Sequence, residues 1–149
     1  MISGANTEET EINISINGTY AKYFFNFFKE DKFEGNLKIG EFVLTQKEKY
    51  IIDINVSKKG ENLIYRTSIG SALKSHFFGS IYADKNFKNF IIIPFREYLD
   101  DFSYEGTGGS YDINGETITL ICYPAETRND AVKMANSKLK YLDKNFCMK

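Results

Sequence analysis

The stretch that decides the fold is EKYIIDINVSKKGENLIYRTSIG, Glu48 to Gly70. Tyr50, Ile52, Ile54 and Val56 alternate there with Asp53, Asn55 and Ser57. A period of two places the first set on one face of a β-strand and the second on the other. Lys58-Lys59-Gly60-Glu61 then turns the chain, and Leu63, Tyr65, Thr67 and Ile69 return in the same alternation. One face is apolar and the other mostly polar, which is the pattern of an antiparallel sheet wet on one side.

The same reading extends in both directions. EINISI alternates Ile12, Ile14 and Ile16 with polar residues, and Asn17-Gly18 follows. That pair favours a two-residue hairpin turn, so TYAKYFFNFF is expected to return as a second strand, the alternative being a helix capped by Thr19 with Tyr20, Phe24, Phe27 and Phe28 on one face. LKIGEFVLT reads as a further strand. In SALKSHFFGSIYA the expectation is a short helical turn over Ser71 to Lys74, then a strand from about Phe77 to Tyr82. DKNFKN is a polar turn. FIIIPF is a buried strand that Pro94 should end, since proline has no ladder donor. ETITLICY has two apolar faces and is expected inside the sheet.

The last element is a helix. Thr127 is its expected cap, with Asp130 three residues on. Val132, Ala135, Leu139, Leu142 and Phe146 recur at steps of three and four and form one apolar stripe. The fold class that results is α+β. A mostly antiparallel, meandering sheet of about six to eight strands carries the C-terminal helix on one face. A sheet of that size curls, up to closure as a barrel. The order is loosely similar to that of the lipocalins, although their glycine–tryptophan signature is missing from a chain without Trp. Residues 1–10 read as a flexible leader and 11–149 as one domain, a length able to bury roughly 70% of its unfolded surface.

Composition removes several function classes. Nineteen basic residues face twenty acidic ones, giving a formal charge of -1, so no basic excess points to nucleic acid. No apolar run approaches the ~20 residues of a membrane helix. No secretory signal is visible in MISGANTEETE. The compartment stays open between the cytoplasm and an exported location. The single histidine, His76, rules out a two-histidine zinc site within the chain. No metal or other cofactor is expected. The sequons at Asn13, Asn17 and Asn55 carry little weight in an asparagine-rich chain whose Lys, Asn, Ile and Phe bias suggests a low-GC bacterial genome.

Four glycines fall in YEGTGGSYDINGETITLICY, Tyr104 to Tyr123. A phosphate loop would need a lysine behind the glycines and a helix after them. Here a strand follows. The dinucleotide fingerprint fails as well, because Tyr111 occupies the sixth place from Gly106. Asn114-Gly115 instead marks a tight hairpin. Cys122 and Cys147 are the only cysteines. A helix between them carries the chain about 28 Å, which favours free thiols over a bridge.

The functional expectation is a non-enzymatic protein-binding module, such as a small bacterial inhibitor, an immunity-type protein or a secretion accessory. Tyr98, Asp100, Asp101, Phe102, Tyr104 and Glu105 set aromatics among acids, which suits a partner with a basic surface. Two alternatives stand beside it. A curled sheet lined by Phe and Tyr would carry a small apolar ligand. An enzyme would have to use His76 with a nearby carboxylate.

Overall fold

The computed structural model describes residues 12–22, 31–40, 42–47, 50–56, 59–94, 111–113, 116–118 and 120–140. Seven strands form one antiparallel sheet that curls into a half-barrel. They are β1 (Ile14–Ala21), β2 (Lys32–Ile39), β3 (Ile51–Asn55), β4 (Glu61–Ile69), β5 (Ala72–Ala83), β6 (Phe90–Pro94) and β9 (Ile121–Tyr123), in that spatial order. Between β6 and β9 the chain makes a separate hairpin, β7 (Tyr111–Ile113) with β8 (Glu116–Ile118). Two helices complete the described fold, α1 (Val43–Gln46) and α2 (Arg128–Leu139).

The β3–β4 pair forms as the alternation requires. Ile52, Ile54, Leu63, Tyr65 and Thr67 are buried, while Ile51 stays exposed. The hairpin around Asn114-Gly115 also forms, with Ile113 opposite Glu116.

The expected turn at Asn17-Gly18 does not occur. Both residues lie in the middle of β1, and the register sets Asn17 against Asn36 and Gly18 against Gly35. The apolar pairs on either side match as well, Ile16 with Leu37 and Tyr20 with Phe33. The two glycine backbones approach so closely that a Cβ on Gly18 would sit 2.4 Å from the Glu34 carbonyl oxygen and 2.8 Å from the Gly35 Cα. This glycine pair serves close approach across a ladder, not a turn.

LKIGEFVLT is not one strand. β2 ends at Ile39, and Thr45 in α1 folds the chain back onto it. The Thr45 hydroxyl accepts from Ile39 N at 2.9 Å and donates to the Phe42 carbonyl at 2.9 Å. Ser71 to Lys74 is not helical. After a turn at Gly70-Ser71, β5 pairs with β4 from Ala72 onward. Its alternation is harder to read because the register shifts between Leu63 and Ile64, leaving Phe78 as an extra residue. Before this bulge the even-numbered residues face inward, and after it the odd-numbered ones do, with Phe78 itself buried. Gly79 follows the bulge and stands opposite Pro94, where a Cβ would meet the Ile93 carbonyl oxygen at 2.1 Å. ETITLICY divides into β8 and β9, and β9 lies at the end of the sheet order.

The concave side holds the main core. Phe33 stacks on Phe87 with centroids 4.3 Å apart, Phe87 on Phe90 at 5.1 Å, and Phe90 on Tyr123 at 4.9 Å. These four rings link β2 to β6 and β9 across the interior. Phe87 closes a 3-10 turn, Lys85–Phe87, and takes φ 54°, an uncommon backbone for a bulky residue. Further along, Tyr65 donates to the Leu37 carbonyl at 2.6 Å, and its ring meets Phe78 edge-on.

Helix α2 packs on one face of the sheet, the face turned away from this core. Ala131, Ala135 and Leu139 bury against Tyr82, Ile91, Leu120 and Cys122. Thr127 caps it as expected, accepting from Asp130 N at 3.2 Å. Leu142 and Phe146 lie outside the described residues. β6 is thus apolar on both faces. Phe90 and Ile92 serve the main core, and Ile91 serves the helix.

Two substitutions test this account. Phe87→Ala removes two ring stacks from a buried site and is expected to cost about 3–5 kcal/mol. Hydrogen exchange should accelerate most in β1 and β2, and a loss below 1 kcal/mol would overturn the assigned role. Gly18→Val is expected to cost about 2–4 kcal/mol, because the obstructing atoms are backbone. Ser15→Ala, on the exposed side of the same strand, should change denaturation midpoints little.

Candidate functional site

Two features of the fold are candidates for function. The first is the path between β6 and β9. Ile92 stands opposite Ile121, so these strands are antiparallel neighbours that a tight hairpin turn could join. Instead β6 ends at Pro94 and β9 begins at Ile121, and the β7–β8 hairpin that falls between them in sequence pairs outside the seven-stranded ladder. The β7–β8 hairpin belongs to this excursion. So do Tyr98, Asp100, Asp101, Phe102, Tyr104 and Glu105, which lie outside the described residues, as do Gly106, Gly108 and Gly109.

The second is a groove of about 370 Å³ between α2 and the β5–β6 connection. Tyr82, Ala83, Asp84 and Asn89 line the sheet side. Lys133, Met134, Ser137 and Lys138 line the helix side. Helical spacing explains the second set, since Lys133 with Ser137 and Met134 with Lys138 are each four apart and share a face. Lys138 bridges the two walls through an ion pair with Asp84 at 2.5 Å. The Lys138 side chain is only 12% exposed, whereas Asp84 is 41% exposed, so the pair is shielded on the helix side and open to water on the other. Tyr82 is buried beneath the groove, and burial pushes its hydroxyl above the usual tyrosine range.

The other chemically capable side chains are held in structural contacts. His76 Nε2 lies 3.3 Å from the Tyr50 hydroxyl, and the two rings meet edge-on at 5.3 Å. Asp53 pairs with Lys32 at 2.7 Å and with Arg66 at 4.0 Å, a charged row across β2, β3 and β4. Tyr20 donates a very short hydrogen bond to Asp31. Among the described residues no group of His, Cys, Asp and Glu is placed to hold a metal ion. No described helix is long and apolar enough to cross a membrane. The concave interior, where a carrier would hold its ligand, is occupied by the stacked rings of Phe33, Phe87, Phe90 and Tyr123.

Cys122 is a free thiol, as expected, and is buried between β9 and α2. Its Sγ lies 3.8 Å from the Ala131 carbonyl oxygen. Burial pushes its pKa from 9.0 up to about 12, which keeps it protonated and unreactive. Cys147 lies outside the described residues.

The groove escaped the sequence reading. Its sheet side comes from residues 82–89 and its helix side from residues 133–138, and no local pattern links them. The one available signal was the polar i, i+4 pairing beside the helix stripe, which reads equally well as a solvated face. No family model, curated protein or solved structure matches the chain.

The buried thiol has a measurable consequence. A thiol with a raised folded pKa contributes stability that is complete below its unfolded value near 9 and is lost as pH rises toward 12. The buried Tyr65 hydroxyl is also raised and acts in the same direction. Melting temperature is therefore expected to fall steadily above pH 9. In a Cys147→Ser background, Cys122 should resist a disulfide reagent at pH 8 until denaturant is added. Rapid modification of the native protein would overturn the assignment.

Proposed function

We propose that this chain is a non-enzymatic protein-binding module whose recognition element is the stretch between β6 and β9. The single observation that carries this reading is the excursion itself. The sheet needs only a short link between two adjacent strands, yet the chain inserts a glycine-rich segment, a separate hairpin and an acidic–aromatic run. Long connections on a stable scaffold are where recognition concentrates, because they vary without disturbing the ladder.

The chemistry of the run suits a basic protein surface. Asp100, Asp101 and Glu105 supply charge for steering and register, while Tyr98, Phe102 and Tyr104 supply area for burial. An inhibitor, an immunity-type protein or a secretion accessory could each act through such a contact without chemistry of its own. The structural engagement of His76, Asp53 and Cys122 agrees with that reading.

The test compares two forms of the protein as bait in extracts of its native cells. Wild type is expected to recover one partner at near-equal ratio, and Asp100→Lys/Asp101→Lys to lose it. The melting temperature should stay within about 2 °C, since surface changes away from packing features are small. Equal capture by both forms, or no partner for either, would overturn the proposal.

A further inference from the structure

The groove between α2 and the β5–β6 connection has a charge pattern that the binding of a protein by the excursion does not use. Lys138 and Asp84 form a pair at 2.5 Å and neutralise one another. Lys133 remains. Among the described residues no carboxylate forms an ion pair with it. It lies one helical turn from Ser137, and Asn89 lines the opposite wall. A cation with no ion pair among the described residues is therefore accompanied by a hydroxyl and an amide, both able to donate to an oxygen anion. The floor beside them is apolar. Tyr82 presents a buried ring, and Met134 supplies a flexible, polarisable side chain that adapts to flat surfaces.

We propose that this groove binds a small organic monocarboxylate with a flat apolar body, its carboxylate paired with Lys133 and its body lying over Tyr82 and Met134. The volume, about 370 Å³, falls at the lower end of the range for small-molecule sites. A single net positive charge suits one negative charge. A phosphate dianion would leave one negative charge unmatched by a groove in which Lys133 and Lys138 face the single carboxylate of Asp84. The Lys138–Asp84 pair fixes the separation of the two walls, so the site exists before the ligand arrives and little ordering is needed on binding.

The experiment uses the full chain, isotopically labelled, and titrates it with 2-naphthoate while amide shifts are followed. Saturable shifts are expected at Asn89 and across Lys133 to Lys138, with Kd of about 1 mM or tighter. Naphthalene-2-carboxamide has the same shape without the charge and is expected to bind at least about tenfold more weakly. Lys133→Met keeps the aliphatic stem and should weaken the acid about tenfold while leaving the amide unchanged. Lys74→Met, near the exposed start of β5, is the control and should bind like wild type. Equal binding of acid and amide, a Lys133→Met variant that binds the acid normally, shifts scattered outside the groove, or no saturation by about 10 mM would each overturn the proposal.

Discussion

The stack of Phe33, Phe87, Phe90 and Tyr123 is the constraint on which the rest of the structure depends. Twist makes an open antiparallel sheet of seven strands curl, but gives no reason for β2 and β9 to meet at a fixed separation, since four strands lie between them in the ladder. Ring centroids between 4.3 and 5.1 Å supply that reason. They set how far the sheet curls and give the concave side a dry interior. Phe87 is the middle of the stack and belongs to no strand. It reaches its neighbours only because the 3-10 turn accepts positive φ at Asn86 and Phe87. A locally unfavourable backbone is offset by burial of a ring between two others.

Curling inward also explains why α2 covers the outer side. Once the concave face is filled by its own aromatics, the remaining apolar surface is the back of β5, β6 and β9. There Ile91, Leu120 and Cys122 accept the small residues Ala131 and Ala135, and Leu139. The sheet is consequently sandwiched only at one end. Elsewhere its outer face carries the Lys32, Asp53 and Arg66 row in contact with water. The groove lies where the helix departs from the sheet.

Features encoded by neighbours in sequence were legible. The β3–β4 alternation, the Thr127 cap and the hairpin around Asn114-Gly115 need only a few adjacent residues to be recognised. Features set by distant partners were not. Asn17-Gly18 has the local chemistry of a turn, and only the presence of Gly35 opposite makes it part of a strand. The bulge at Phe78 reverses the inward face of β5 midway, so a constant period fails there. The apolar stripe of α2 announced that the helix must pack, but not on which side of the sheet. For function, the acidic–aromatic run was visible as composition, whereas its position as an excursion between adjacent strands required the ladder. The groove, assembled from residues more than forty positions apart, had no sequence signature at all.

The adjacency of β6 and β9 has one more implication. Because Ile92 already faces Ile121, the ladder is indifferent to how much chain lies between Pro94 and Leu120. The pairing of Phe90 with Tyr123 and of Ile91 with Cys122 is set by the two strands themselves and not by the length of the interval. On the proposed reading, descendants of this chain could change what they recognise by rewriting that interval while keeping the β6–β9 pairing.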